Sequence, residues 1–240
     1  MGLLASTTAL LRSAPCANIN FRLRGIVIKG SDYGLVAGKM EQRVIQLAQS
    51  ALLPSSTASY NRKLNVMFVG AAPGANLIVH ESTHAVMDIN KKRTTTEVDE
   101  SVAMVAQSMY LLQVRRDIAA AMATQGEQRV ALLLNQCQNN DRACDDATVF
   151  AAGLIALQFL NNQPVSDAMI QRLGRGVRQH TAYRDRNCAE TGQGALRWRP
   201  PAGHPAGQTV PGRDGHHQLG TPLLSVPRES SFRGNHRDPP

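Results

Sequence analysis

His80-Glu81-Ser82-Thr83-His84 sets two imidazoles four residues apart, with a carboxylate directly after the first. On a helix this spacing puts both rings on one face, close enough to share a single cation. Neutral imidazole suits zinc, and a carboxylate in the place of Glu81 lies beside the metal's open position, where it can accept a proton from water. The apolar lead-in Leu77-Ile78-Val79 marks a helix that is buried rather than solvated. The competing reading is an accident on an ordinary helix. With seven His and seven Glu in 240 residues, random placement produces the pattern in roughly one chain in a hundred or fewer, so a metal site is the expectation.

A catalytic zinc takes a third protein ligand and keeps a position for water. Glu97, Asp99 and Glu100 head the next expected helix, after a polar connection long enough to turn the chain back. Glu100 begins a face that continues through Ala103, Met104, Gln107 and Leu111, a mainly apolar side suited to packing on the motif helix. Glu97 shares part of that face and is the second candidate. Asp99 suits a cap, and acidic residues at a helix start also stabilise it without any metal.

The elements that must carry these residues follow from periodicity. Residues 20–29 read as a strand closed by Gly30 and an Asp32-Tyr33-Gly34 turn. Apolar spacing predicts a helix over 37–53, ended by Pro54 and a Ser/Thr-rich stretch, and a strand over 64–69. The motif helix spans 75–89. A long helix is expected over 97–122, with further helices over 127–137, 145–160 and 165–178.

Two antiparallel helices, His-Glu-x-x-His on the first and a Glu early on the second, resemble the gluzincin branch of the zincin metallopeptidases. The similarity covers residues 77–110. It implies that His80, His84 and Glu100 are zinc ligands and Glu81 the general base. It also implies a compact catalytic domain that cleaves a peptide or protein substrate, held along a strand beside the motif helix, here 64–69. The fold class expected is mainly α (α+β) with a small sheet. The pattern departs from the fuller gluzincin form, in which an Asp four residues after the ligand Glu orients a histidine: Met104 stands there. Asp88, one turn beyond His84, is a substitute candidate. His180 and Tyr183 are oxyanion donor candidates by residue type alone.

Composition bounds the rest. Eight of the twelve prolines fall in 181–240, together with eight arginines and no lysine. The expected organisation is therefore a 1–180 metallohydrolase domain and a disordered 181–240 tail; a shift of reading frame near that boundary is the other explanation of so abrupt a change. His204, His216, His217 and His236 all lie in the tail. The net charge is +8, but it is spread along the chain and aromatics are only 4%, so no specific nucleic-acid binding is expected. No run of 18 or more apolar residues occurs, which predicts no membrane-spanning segment.

The N-terminal apolar stretch has no positive start and is interrupted by Arg12, which disfavours a secretory signal and leans toward a cytoplasmic location. Cys137 and Cys144 could meet across a helix–helix turn, but unpaired thiols are the expected state. Two other classes compete with a hydrolase. One is a non-catalytic zinc-binding module, and the other is a helical interaction protein whose motif is accidental.

Overall fold

The computed structural model describes residues 2–137 and 140–180. The expected tail, with Tyr183 and the histidines at 204, 216, 217 and 236, lies outside the described residues. What is described is mainly helical with two small sheets, as the sequence predicts.

The chain opens with α1 (Leu3–Leu11) and α2 (Ala14–Ala17). The strand expected over 20–29 is a hairpin of β1 (Phe21–Leu23) and β2 (Ile26–Ile28), pairing Phe21 with Ile28 and Leu23 with Ile26. Arg24 and Gly25 both take positive φ, 48° and 81°, the two-residue reversal whose twist matches the flanking strands.

The expected turn at Asp32-Tyr33-Gly34 lies inside α3 (Gly30–Glu41). Asp32 accepts the Lys29 N–H at 2.9 Å, so this acidic residue starts the helix by satisfying one of its orphan donors. A Cβ on Gly30 would stand 1.9 Å from the Ala17 carbonyl oxygen, so only glycine permits this approach of α3 to α2.

The helix expected over 37–53 stops at Glu41. Arg43 adopts φ 59°, and the N–H groups of Val44 and Ile45 both turn back to the Lys39 carbonyl at 2.9 and 3.1 Å. The chain then continues as β3 (Gln46–Gln49). The apolar spacing misled at this point, since Val44 is half exposed whereas Ile45 is buried.

β3 pairs in parallel with β5 (Val66–Val69), and β4 (Ala58–Asn61) pairs antiparallel on the other side, giving the order β3-β5-β4. The strand expected over 64–69 is thus the centre of the sheet, and the edge strand β4 arises in the Ser/Thr-rich stretch read as a connection.

α4 (Ala75–Ile89) has the expected bounds and is buried nearly all round, from Leu77 through His80 and from Ser82 through Met87. α5 (Thr96–Val114) packs along it. The single helix expected over 97–122 divides at Arg115, whose φ −124° and ψ 80° leave the helical region, and α6 (Arg116–Gln136) follows. α7 (Asp141–Leu160) and α8 (Asp167–Gln179) complete the described chain. By length and composition α7 alone among the described helices could cross a membrane, but 56% of its apolar window is buried in the fold, where it packs on α5, α6 and α8.

Cys137 and Cys144 form a disulfide across the α6–α7 turn, against the expectation of free thiols. The turn brings their Cα atoms to 4.6 Å, within the range a disulfide bridges. Cys16 is a buried free thiol, pushed up to about 11 by burial.

Candidate metal centre

α4 and α5 bring together three of the residues singled out in the sequence, His80 and His84 of the motif and Glu100. Nε2 of His80 and Nε2 of His84 are 3.2 Å apart. Oε2 of Glu100 lies 3.3 Å from the first and 3.6 Å from the second. All three side chains are buried. Two ligands bound at about 2.05 Å to a tetrahedral centre stand about 3.3 Å from one another, so this triangle has the dimensions of one face of such a centre. The described residues therefore hold a buried His-His-Glu group that could bind a metal ion.

Both helices are built to hold these positions. In α4 the Thr83 hydroxyl donates to the Val79 carbonyl at 2.9 Å, and Tyr33 on α3 donates to Thr83 Oγ1 at 2.8 Å. The polar residue inside the motif is thereby satisfied within the core, as burial requires. In α5 the Thr95 side chain caps the start by accepting the Val98 N–H at 3.4 Å. Asp99 is consequently released from the capping role expected of it.

The outer nitrogens of both rings face polar side chains. His80 Nδ1 donates to Gln107 Oε1 at 2.9 Å, and His84 Nδ1 lies 3.3 Å from Asp99 Oδ2. With a proton held on each Nδ1 and both rings neutral, as a bound cation would require, each Nε2 would turn a lone pair toward the triad, the arrangement that outer hydrogen-bond partners impose on histidine ligands. Asp88 does not do this. Its carboxylate accepts from the Tyr60 hydroxyl at 2.9 Å, so the orienting role expected of it belongs to Asp99. Arg62 Nη2 in turn donates to Asp99 Oδ1 at 2.9 Å.

The charges follow from burial and proximity. Burial works against ionisation of His84, but Asp99 and Glu100 more than offset it and hold the imidazole well above the usual histidine range. Burial likewise opposes the Glu100 carboxylate, and His84 and His80 pull it well below the usual range. Asp99 is lowered against its own burial, by His84 first and then Arg62.

Glu81 is half-buried and faces β4, where the Tyr60 backbone N–H donates to its Oε2 at 2.7 Å. Burial raises its pKa, with His80, His84 and the Tyr60 N–H acting the other way. A carboxyl raised in this direction is better matched to proton transfer near neutrality.

The other candidates lie elsewhere. Glu97 is no member of the triad: it bridges Arg24, at 2.5 Å, and Arg178, tying the β1–β2 turn to the end of α8. His180 is buried with its Nδ1 3.5 Å from Asp145 Oδ1 on α7, outside the metal-binding group. The sequence reading missed Gln107, Tyr60 and Arg62 as parts of the site. Gln107 did leave a signal, as the polar member of the otherwise apolar face that begins at Glu100.

No protein-family model matches the chain, and no curated protein or solved structure shows significant similarity to it.

Proposed function

We propose that the protein is a zinc-dependent hydrolase, a metallopeptidase of gluzincin type that cleaves peptide bonds. The observation that carries this reading is the convergence of His80, His84 and Glu100 on one point, with the Glu81 carboxylate anchored alongside by the Tyr60 N–H. Two imidazoles and a carboxylate are a donor set suited to zinc. Among the described residues three donors converge and no fourth joins them, which is the ligand count of a catalytic rather than a structural site.

In this reading His80, His84 and Glu100 hold the ion. Bound zinc would supply a Lewis acid that acidifies water and polarises the substrate carbonyl. Glu81 takes the proton from the attacking water and passes it to the leaving nitrogen. Its Oε2 is fixed by Tyr60, which leaves Oε1 for that proton. Gln107 and Asp99 keep the two imidazoles in register.

An extended peptide would pair with the free edge of β4. The segment first expected in that role, 64–69, cannot serve, since both sides of β5 are occupied by other strands. The Gly70 N–H bonds the Thr57 carbonyl, and the Tyr60 N–H faces Glu81. By the alternation of an antiparallel pair, Ala58 and Tyr60 turn their backbone groups away from β5; the Tyr60 N–H is taken by Glu81, so a substrate strand would add at Ala58.

The test is metal content and peptide-library hydrolysis by the full chain, beside Glu81→Gln and His80→Ala. About one zinc per chain is expected, retained in Glu81→Gln without hydrolysis and lost in His80→Ala. Zinc retained by wild type with no cleavage of any peptide would favour a non-catalytic zinc module. Wild type that takes up no zinc under zinc-replete conditions would leave the helical interaction protein as the better account.

A further inference from the structure

Beyond Tyr60, the edge strand has a second connection to the metal centre. Arg62 is the residue after β4 ends, and its guanidinium is directed at Asp99, Nη2 to Oδ1, at 2.9 Å. The other oxygen of that carboxylate, Oδ2, lies 3.3 Å from His84 Nδ1. Each oxygen of Asp99 thus has its own partner, one cationic and one a ring nitrogen. A carboxylate held at one oxygen only can swing about its side-chain torsions, whereas one held at both has its plane set.

Resting on the metal-centre reading above, we infer that Arg62 is a positioning residue: it fixes Asp99 so that Asp99 holds the His84 imidazole with Nε2 turned to the ligand triad. The relay runs from the end of the substrate-edge strand, through α5, to a ligand on α4. Arginine suits the task because its planar, permanently charged head donates along fixed directions.

A merely structural role would run through Asp88 instead. Arg62 Nε is 3.9 Å from Asp88 Oδ1, a contact that would only dock the strand on α4. That distance is beyond a hydrogen bond, and Asp88 already accepts from the Tyr60 hydroxyl. The two roles therefore separate by which carboxylate transmits the effect of losing Arg62.

The experiment measures the zinc dissociation constant of the full chain by competition with a chromogenic chelator, with thermal unfolding of the zinc-free protein followed in parallel. Removal of a residue that orients a ligand typically weakens metal affinity by about 10- to 100-fold. Arg62 acts one residue further out, so Arg62→Met should weaken zinc binding by about three- to tenfold, below that range. Arg62→Lys should recover part of the loss, and Asp88→Asn should cause none. In an Asp99→Asn background Arg62→Met should have no further effect on zinc, because the relay is already cut.

An unchanged zinc constant in Arg62→Met overturns the inference. So does a loss that persists in the Asp99→Asn background or that Asp88→Asn reproduces. Wild type that binds no zinc overturns the metal-centre reading together with this one, whereas zinc-binding wild type beside an indifferent Arg62→Met overturns this one alone.

Discussion

Asp99 and Glu100 are neighbours in sequence and address opposite nitrogens of one ring: Asp99 Oδ2 stands 3.3 Å from His84 Nδ1, and Glu100 Oε2 stands 3.6 Å from His84 Nε2. Successive residues of a helix point about 100° apart, so both can reach His84 only because the imidazole lies between their two directions. The pair orients the second histidine of the group although Met104, one turn after Glu100, is apolar. Substitution of Asp99 by Asn should lower zinc affinity by about 10- to 100-fold. Chelator competition reads this directly.

Glu97 gives the opposite prediction. It holds Arg24 and Arg178 and touches no member of the triad. Glu97→Gln should leave zinc content unchanged while lowering stability by about 1–3 kcal/mol, the range for a charged, partly buried hydrogen-bonded group. Loss of zinc in this variant, with the fold intact, would restore Glu97 as a ligand and displace Glu100.

The zinc-free protein should show a bell-shaped dependence of stability on pH. Glu100 is lowered from an ordinary value of 4.5, so its contribution is present above that pH and is lost as pH falls through its folded value. His84 is raised from 6.5, so its contribution is complete below that pH and is lost as pH rises through its folded value. Both contributions are complete between 4.5 and 6.5. Zinc should abolish the alkaline decline, because a ligand imidazole is neutral, and should leave an acid decline in which protons compete for the ligands. Melting temperatures across the range, with and without zinc, test both limbs; a flat profile without metal rules the charge assignment out.

Reduction of the Cys137–Cys144 disulfide should lower stability by about 2–3 kcal/mol, the loop-entropy value for so short a loop. Zinc content should not change, because the bridge joins α6 to α7, away from the ligands. Unfolding in denaturant, with and without reductant, measures the first point, and elemental analysis the second.

His180, considered as an oxyanion donor on residue type, faces Asp145 on α7. His180→Gln should therefore lower the melting temperature through its buried pair and leave zinc content and turnover number at their wild-type values. A large fall in turnover number at a temperature where the variant is folded would contradict that placement.

What was legible in the sequence was short-range. The helix 75–89 and the pair His80 and His84 could be read because an i, i+4 pair is set by chain geometry alone, and Glu100 because it heads the mainly apolar face of α5 that packs on α4. The roles of Asp99 and Gln107 depend on the rotation of α5 against α4, which periodicity does not specify. β4 escaped notice because a short strand of Ala58, Ser59, Tyr60 and Asn61 becomes one only through its partner β5. The same non-local pairing turned the far end of the expected helix 37–53 into β3.

Ser82 and Thr83, the two positions a pattern search leaves blank, are wholly enclosed in the core. Thr83 is moreover engaged by Tyr33. Evolution and protein engineers are thus not at liberty where the motif's notation suggests they are. A bulky residue at either site would displace the ligands by pushing on the interior rather than by altering the chemistry. Variation compatible with this centre is to be sought among residues that fit the space around α4, and a random library at 82 and 83 should yield mostly small side chains.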